Sequence, residues 1–179
     1  MKIAYADPPY PGMTRFYGGA NDPFEGEVVE VDHAALVHRM HTEYDGWCLH
    51  TASTTLAEVL AVCPPPSEGV RVMAWVKPFA SFKPGVMVAY AWEPVIVKPA
   101  RVPKHDRDNP RPTVRDWIAE PIALKRGLTG AKPHAVCAWL FSVLGAEPTD
   151  ELHDLFPGTG AVTQAWDAWR SQLNLLGAA

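Results

Sequence analysis

A chain of 179 residues with 47% apolar and 20% charged side chains suits one folded domain, and that length can bury a sizeable core. No apolar run is long enough to span a bilayer. Residues 1–10 lack the basic start and apolar stretch of a secretory signal, so a cytoplasmic protein with no membrane role is expected. The formal charge of −4 is unevenly spread: residues 1–69 carry 3 basic and 10 acidic side chains, residues 70–132 carry 12 and 5, and residues 133–179 carry 1 and 5. A cationic middle segment in an acidic chain is either a polyanion-binding surface or a solvated loop. Cys48, Cys63 and Cys137 are an odd, widely spaced set. Such a set argues against a disulfide framework or a zinc site and for buried thiols.

In chain order, Lys2 to Ala6 is a β-type run that stops at Asp7-Pro8-Pro9-Tyr10, because two prolines without N–H groups end the ladder. Pro11 to Val31 reads as a long loop. Asp32 is expected to cap a helix carrying Ala35, Leu36, Arg39 and Met40. Gly46 to Thr51 reads as a strand, and Ser53 or Thr54 as the cap of a second helix with Leu56, Val59, Leu60 and Val62. Pro64-Pro65-Pro66 ends that helix. Val70 to Val76 and Val86 to Val97 are β-prone, the second run broken near Trp92-Glu93-Pro94. Residues 99–131 show little periodicity apart from a short helix expected around Val114 to Ile118. Lys132-Pro133 precedes an apolar helix from Ala135 to Leu144. Leu152 to Phe156 reads as a strand, Pro157-Gly158-Thr159-Gly160 as a tight turn and Ala161 to Leu173 as a helix. Strands alternating with helices predict a single α/β domain over residues 1–179 with a mostly parallel sheet, and a basic, loop-rich segment at about 98–131.

Two motifs carry chemistry. Asp7-Pro8-Pro9-Tyr10 stands at the carboxyl end of a predicted strand, where open α/β sheets bind ligands. An exocyclic amino group is a poor nucleophile because its lone pair is delocalised into the ring. Two acceptors aimed at its hydrogens would pull the nitrogen toward a tetrahedral form; the Asp7 carboxylate and the Pro8 carbonyl suit that task. Pro8 and Pro9 fix their direction, and Tyr10 offers a face on which a flipped base can stack. The second motif, Asp154-Leu155-Phe156-Pro157-Gly158-Thr159-Gly160, lies between a strand and a helix. Its glycines let the backbone approach a ligand, and the helix start offers free N–H groups. It is neither a phosphate-binding P-loop nor a full dinucleotide fingerprint, since Thr163 takes the third glycine position.

Together these motifs resemble the permuted adenine-N6 and cytosine-N4 amino-methyltransferases of nucleic acids. That family includes phage and bacterial DNA adenine methyltransferases and messenger-RNA adenosine methyltransferase-like proteins. In it the Asp-Pro-Pro-aromatic motif precedes the cofactor-binding motif, as here. Trp92-Glu93 resembles a family stretch beside the target base, and Lys132-Pro133 the segment before the helix flanking the cofactor.

The resemblance implies a minimal class I, Rossmann-like methyltransferase fold with helices on both faces; the chain departs from the family in having only 19 residues after Gly160, so it is expected to lack the strands that follow the glycine motif. It implies S-adenosylmethionine as cofactor and no metal. Asp7, Pro8, Pro9 and Tyr10 would be catalytic. Asp7, Lys132, Asp154, Phe156, Gly158 and Gly160 would bind the cofactor, with Lys132 pairing its carboxylate. Lys98, Arg101, Lys104, Arg107, Arg111 and Arg115 are the candidates for nucleic-acid contact, with Lys125 and Arg126 in the same basic segment. Adenine in DNA is the favoured target over RNA. A non-catalytic nucleic-acid-binding subunit is the rival from another class. The short stretch after Gly160 leaves room for a homodimer or a partner subunit that completes the site. His33, His38 and His41 are expected to be ordinary helix residues.

Overall fold

The structure, a computed structural model, describes residues 1–12, 30–79, 85–101, 113–122 and 131–177. Six strands form one sheet: β1 (Lys2–Ala6), β2 (Gly46–His50), β3 (Arg71–Val76), β4 (Trp92–Lys98), β5 (Trp117–Ala119) and β6 (Glu151–Asp154). Four helices pack on it: α1 (His33–Glu43), α2 (Leu56–Leu60), α3 (His134–Val143) and α4 (Ala161–Gly177). The strand order is β5-β3-β4-β2-β1-β6. β1 runs parallel to β2 and β6, and β3 parallel to β5; only β4 is antiparallel to its neighbours. The expected α/β fold with a largely parallel sheet and helices on both faces is present. Among the described residues β6 is an edge strand.

Period-two alternation sorts the core onto the two faces. Ile3, Tyr5, Cys48, Met73, Trp75, Val95 and Val97 form one cluster with α3 and α4. Ala4, Ala6, Trp47, Leu49 and Ile96 form the other with α1 and α2. β2 is buried along its whole length, as a strand covered on both faces must be. Phe141 of α3 meets Trp166 of α4 edge-on with ring centroids 5.0 Å apart, and Trp166 stacks on Trp169 at 5.2 Å. The cysteines are free; Cys48 and Cys137 are buried and Cys63 half-buried. Burial pushes the Cys63 and Cys137 thiols up to about 11, so both are poor nucleophiles. None of the described helices is long and apolar enough to cross a membrane.

Local chemistry explains most element boundaries. Asp32 caps α1 through a 2.9 Å bond from the Ala35 N–H. The cap expected for α2 at Ser53 or Thr54 moves to Thr55, whose side chain makes no capping bond. Its hydroxyl instead lies 3.1 Å from that of Thr51 and donates to the Ala52 carbonyl at 3.3 Å, so a local turn competes with the helix start. α2 ends at Leu60, before Val62. β4 starts only at Trp92; Val86, Met87 and Val88 are exposed and outside it.

The short helix expected near residues 114–118 is strand β5. Backbone pairing with β3 overrides local propensity there. Two indoles hold the carbonyls flanking β5: Trp75 Nε1 donates to Glu120 O at 2.7 Å and Trp139 Nε1 to Arg115 O at 2.9 Å.

At the amino end of the sheet, the buried Asp150 carboxylate gathers the Met1 ammonium at 2.9 Å, the Glu147 N–H at 2.8 Å and both terminal nitrogens of Arg101. Arg101 above all holds this carboxyl well below the usual carboxylate range. A depressed folded-state pKa contributes stability above the unfolded value that is lost as pH falls through the folded one. Asp150→Asn is expected to lower unfolding free energy at pH 7 by about 2–3 kcal/mol. The deficit should shrink below about pH 4, where the unfolded chain's carboxyl takes up a proton that the folded one does not, which urea titrations at several pH values would check.

Candidate active site

Five polar side chains continue the inward-facing rows of the α3 face beyond the carboxyl end of the sheet or at its last positions. Asp7 follows Tyr5, His50 follows Cys48, Lys77 follows Trp75, Glu93 precedes Val95 and Asp154 follows Leu152, each at two-residue spacing. Apolar strands thus deliver a polar cluster to the place where parallel sheets bind ligands. Lys132 joins it from the segment entering α3. Pro133 is the N-cap of that helix, and its carbonyl accepts the first turn's N–H groups.

The Lys132 ammonium is the hub. Its Nζ lies 2.8 Å from Asp7 Oδ2 and 3.2 Å from Glu93 Oε1. Glu93 Oε2 accepts from Lys77 Nζ at 2.8 Å. Glu93 Oε1 lies 2.7 Å from His50 Nδ1, and His50 Nε2 lies 2.8 Å from the Tyr5 hydroxyl. Both ammoniums also face the Trp75 ring, Lys77 at 4.5 Å and Lys132 at 5.7 Å from its centroid.

Buried charges persist only when paired, and here two carboxylates meet two ammoniums. Burial opposes the charge on Glu93, yet Lys132, the His50 hydrogen bond and Lys77 hold its carboxyl well below the usual range. Burial likewise opposes Lys132, but Asp7 and Glu93 hold it well above the usual lysine value. Burial raises the Tyr10 phenol, with Lys132 working against the shift. Tyr5 is also raised, chiefly by burial.

Asp7, His50 and Glu93 are the one set of three metal-ligating side chains, among the described residues, whose ligand atoms lie within 4.8 Å of one another. An ion there would have to displace the Lys132 ammonium, and both His50 nitrogens already have partners. The helix histidines do not converge: His33 Nδ1 bonds the Val31 carbonyl at 2.9 Å, and His41 pairs with Glu68 at 2.9 Å.

The glycine motif lies beside Asp7. β1 and β6 pair in register with Tyr5 opposite Asp154, and the Leu155 N–H donates to the Tyr5 carbonyl at 2.9 Å. Asp154 Oδ1 accepts from the Phe156 N–H at 3.2 Å, while the buried Oδ2 has no hydrogen-bond partner. Burial raises this carboxyl, and the nearby Asp7 charge adds to the effect. Gly158 and Gly160 have φ of 44° and 72°, backbone that L side chains rarely adopt. A Cβ on either would meet no heavy atom closer than 3.8 Å. An unpaired buried acceptor beside an open glycine turn fits a ligand that brings a donor or a positive charge.

The sequence-predicted residues thus divide. Asp7 and Lys132 meet directly, and Asp154 to Gly160 border them. Lys98 and Arg101 lie at the opposite end of the sheet, where Lys98 approaches the Asp45 carbonyl at 3.5 Å and Arg101 is committed to Asp150. Arg115 stacks over Trp117 at 5.4 Å. Lys104, Arg107, Arg111, Lys125 and Arg126 lie outside the described residues. The sequence reading gave no role to His50, Lys77 or Tyr5; the usable signal was their phase with the buried rows. Among the described residues, two clefts of about 280 and 470 Å³ lie around α1, α2 and the start of β3, away from Asp7 and the glycine turn.

No protein-family model matches the chain, and no curated protein matches it. Its fold is similar to the crystal structure of the M1.HpyAVI–SAM complex, with a TM-score of 0.53 and 16% sequence identity over 94% of this chain and 78% of that one. The chain shares the Rossmann-like α/β fold of that protein. In such a fold the carboxyl ends of β1 and β6 are the expected ligand edge, and the polar cluster and the glycine turn both stand there.

Lys132→Met removes the buried ammonium and leaves Asp7 without that partner beside Glu93, which keeps Lys77 and His50. It is expected to lower stability at pH 7 by about 3 kcal/mol. Unpaired carboxylates have raised folded-state pKa values, so the deficit should shrink as pH falls toward 5. Denaturant titrations of both proteins across that range would check it.

Proposed function

We propose that this chain is an S-adenosylmethionine-dependent methyltransferase acting on the exocyclic amine of adenine in DNA. One juxtaposition carries the reading: Asp7, at the end of β1, stands beside the glycine turn that follows β6, because Tyr5 pairs with Asp154. A group that activates an amine and a turn suited to a cationic ligand share one sheet edge. Likeness in fold to a protein crystallised with SAM supports the same reading.

The residues present fit the cofactor. Asp154, with its unpartnered buried Oδ2, and the turn containing Phe156, Gly158 and Gly160 would hold it, and Lys132 is the cation available to its carboxylate. When bound, S-adenosylmethionine supplies an electrophilic methyl group on a sulfonium. The chain's own part is to position and activate the acceptor. Lys132 engages Asp7 Oδ2, which leaves the second carboxylate oxygen for one amine hydrogen. The Pro8 carbonyl takes the other, and the pair draws the nitrogen's lone pair out of the ring. Tyr10 stacks the base. Bond making needs correct placement more than acid–base strength, so a rigid Pro-Pro backbone is the main asset.

Incubation with tritium-labelled S-adenosylmethionine and unmethylated DNA, RNA or protein tests the reading. Label is expected in DNA adenine, and Asp7→Ala should lower the rate by about 10²-fold or more under conditions where circular dichroism shows the variant still folded despite its lost Lys132 ion pair. Label in RNA alone would change the substrate and keep the chemistry. Undiminished turnover by Asp7→Ala would contradict the role given to Asp7.

A further inference from the structure

Tyr5 and His50 are fully buried and have no part in the proposed reaction, yet they close a circuit of side chains around it. The Tyr5 hydroxyl lies 2.8 Å from His50 Nε2, and His50 Nδ1 lies 2.7 Å from Glu93 Oε1. That same oxygen lies 3.2 Å from Lys132 Nζ, which lies 2.8 Å from Asp7 Oδ2. Asp7 stands two residues after Tyr5, on the same inward-facing row. The circuit thus leaves β1, crosses β2 and β4, and returns to the end of β1 through the segment before α3.

Its protons can be placed. Against the effect of burial, Lys132, the His50 hydrogen bond and Lys77 hold the Glu93 carboxyl well below the usual range. Glu93 is therefore a carboxylate that can only accept, so His50 Nδ1 carries a hydrogen. Asp7 and Glu93 already balance Lys77 and Lys132. A further cation on His50, buried beside them, would be uncompensated, so the imidazole is neutral and Nε2 is bare. Nε2 then accepts from the Tyr5 hydroxyl, whose proton burial holds in place. One tautomer satisfies every link.

Flexibility decides what the circuit does. The Asp7 side chain is 23% exposed, and the lysines reach the cluster on long stems with many rotatable bonds. Tyr5 and His50 are rings locked in the core, with centroids 5.3 Å apart. Two apolar rings in their places would still leave Glu93 paired with Lys77 and Lys132, at small cost to the fold. What would go is the rigid stop behind Glu93.

We propose that Tyr5 and His50 are positioning residues which, through Glu93 and Lys132, hold the Asp7 carboxylate so that its second oxygen faces the target amine. This rests on the reading of Asp7 as the group that activates that amine.

Two measurements test it. In nitrogen NMR of protein carrying isotope-labelled histidine, His50 is identified by the signals lost in His50→Asn. It is expected to carry its proton on Nδ1 alone; a proton on Nε2, or on both nitrogens, overturns the proposal. The second measurement is methyl transfer at saturating S-adenosylmethionine, where changes in cofactor affinity drop out. His50→Phe should lower kcat about tenfold or more, because slight misplacement of a reacting group is costly. His50→Asn, whose amide N–H can replace the Nδ1 donor, should recover to about threefold below wild type. Equal kcat in His50→Phe and wild type overturns the proposal. So does His50→Asn no faster than His50→Phe, since lost volume and not the lost donor is then at fault. Should His50→Phe not fold, Tyr5→Phe decides: deleting that one hydroxyl should lower kcat about threefold, and an unchanged kcat overturns the proposal. Wild-type protein that transfers no methyl group to DNA, RNA or protein overturns the reading of Asp7 and this role with it. Transfer by wild type with unchanged kcat in His50→Phe overturns the role alone.

Discussion

The Lys132 ammonium, held between the carboxylates of Asp7 and Glu93, is the interaction on which the carboxyl end of the sheet depends. A buried carboxylate pair is untenable without a counter-charge. Because Lys132 sits just before α3, its position also fixes where that helix begins relative to β1 and β4. Lys77 and His50 complete the pairing from β3 and β2. Four strands and one helix are thereby tied at one point, and the apolar rows behind that point exclude the water that would screen it.

A second constraint acts on the backbone. β1 lies between β2 and β6, so residues more than 140 positions apart in sequence form one ladder. Asp7 and the glycine turn are neighbours because of that ladder. In the proposed reaction one side would present the nucleophile and the other would cradle the donor. Neither side needs a redox group, since positioning and desolvation are what such a transfer asks of a protein.

Much of this was legible in the sequence. β1 announces itself by ending on two prolines, α1 by its Asp32 cap, and the glycine turn by lying between a strand pattern and a helix pattern. Other parts were not. β5 is three residues long and has no period of its own; its state is imposed by β3 and by two distant indoles. The second helix began later than its hydroxyl residues suggested, because Thr55 bonds the preceding turn instead. His50 and Lys77 stand at strand ends, where a polar residue ordinarily faces solvent. Only their phase with Cys48 and Trp75 marks them as inward-facing. Arg101 shows the opposite error: a basic residue in a basic segment, it is spent on Asp150 at the far end of the sheet. Charge counting cannot distinguish a cation that anchors the fold from one that faces a ligand.

The central claim is that Asp7 and the turn after β6 border a single cofactor pocket. Ultraviolet cross-linking of radiolabelled S-adenosylmethionine to the protein, followed by peptide mapping, tests it most directly. The account predicts saturable label in peptides spanning residues 4–10 and 150–162, suppressed by excess S-adenosylhomocysteine. Saturable label confined to the segments lining the clefts near α1 and α2, or none at all, would contradict it.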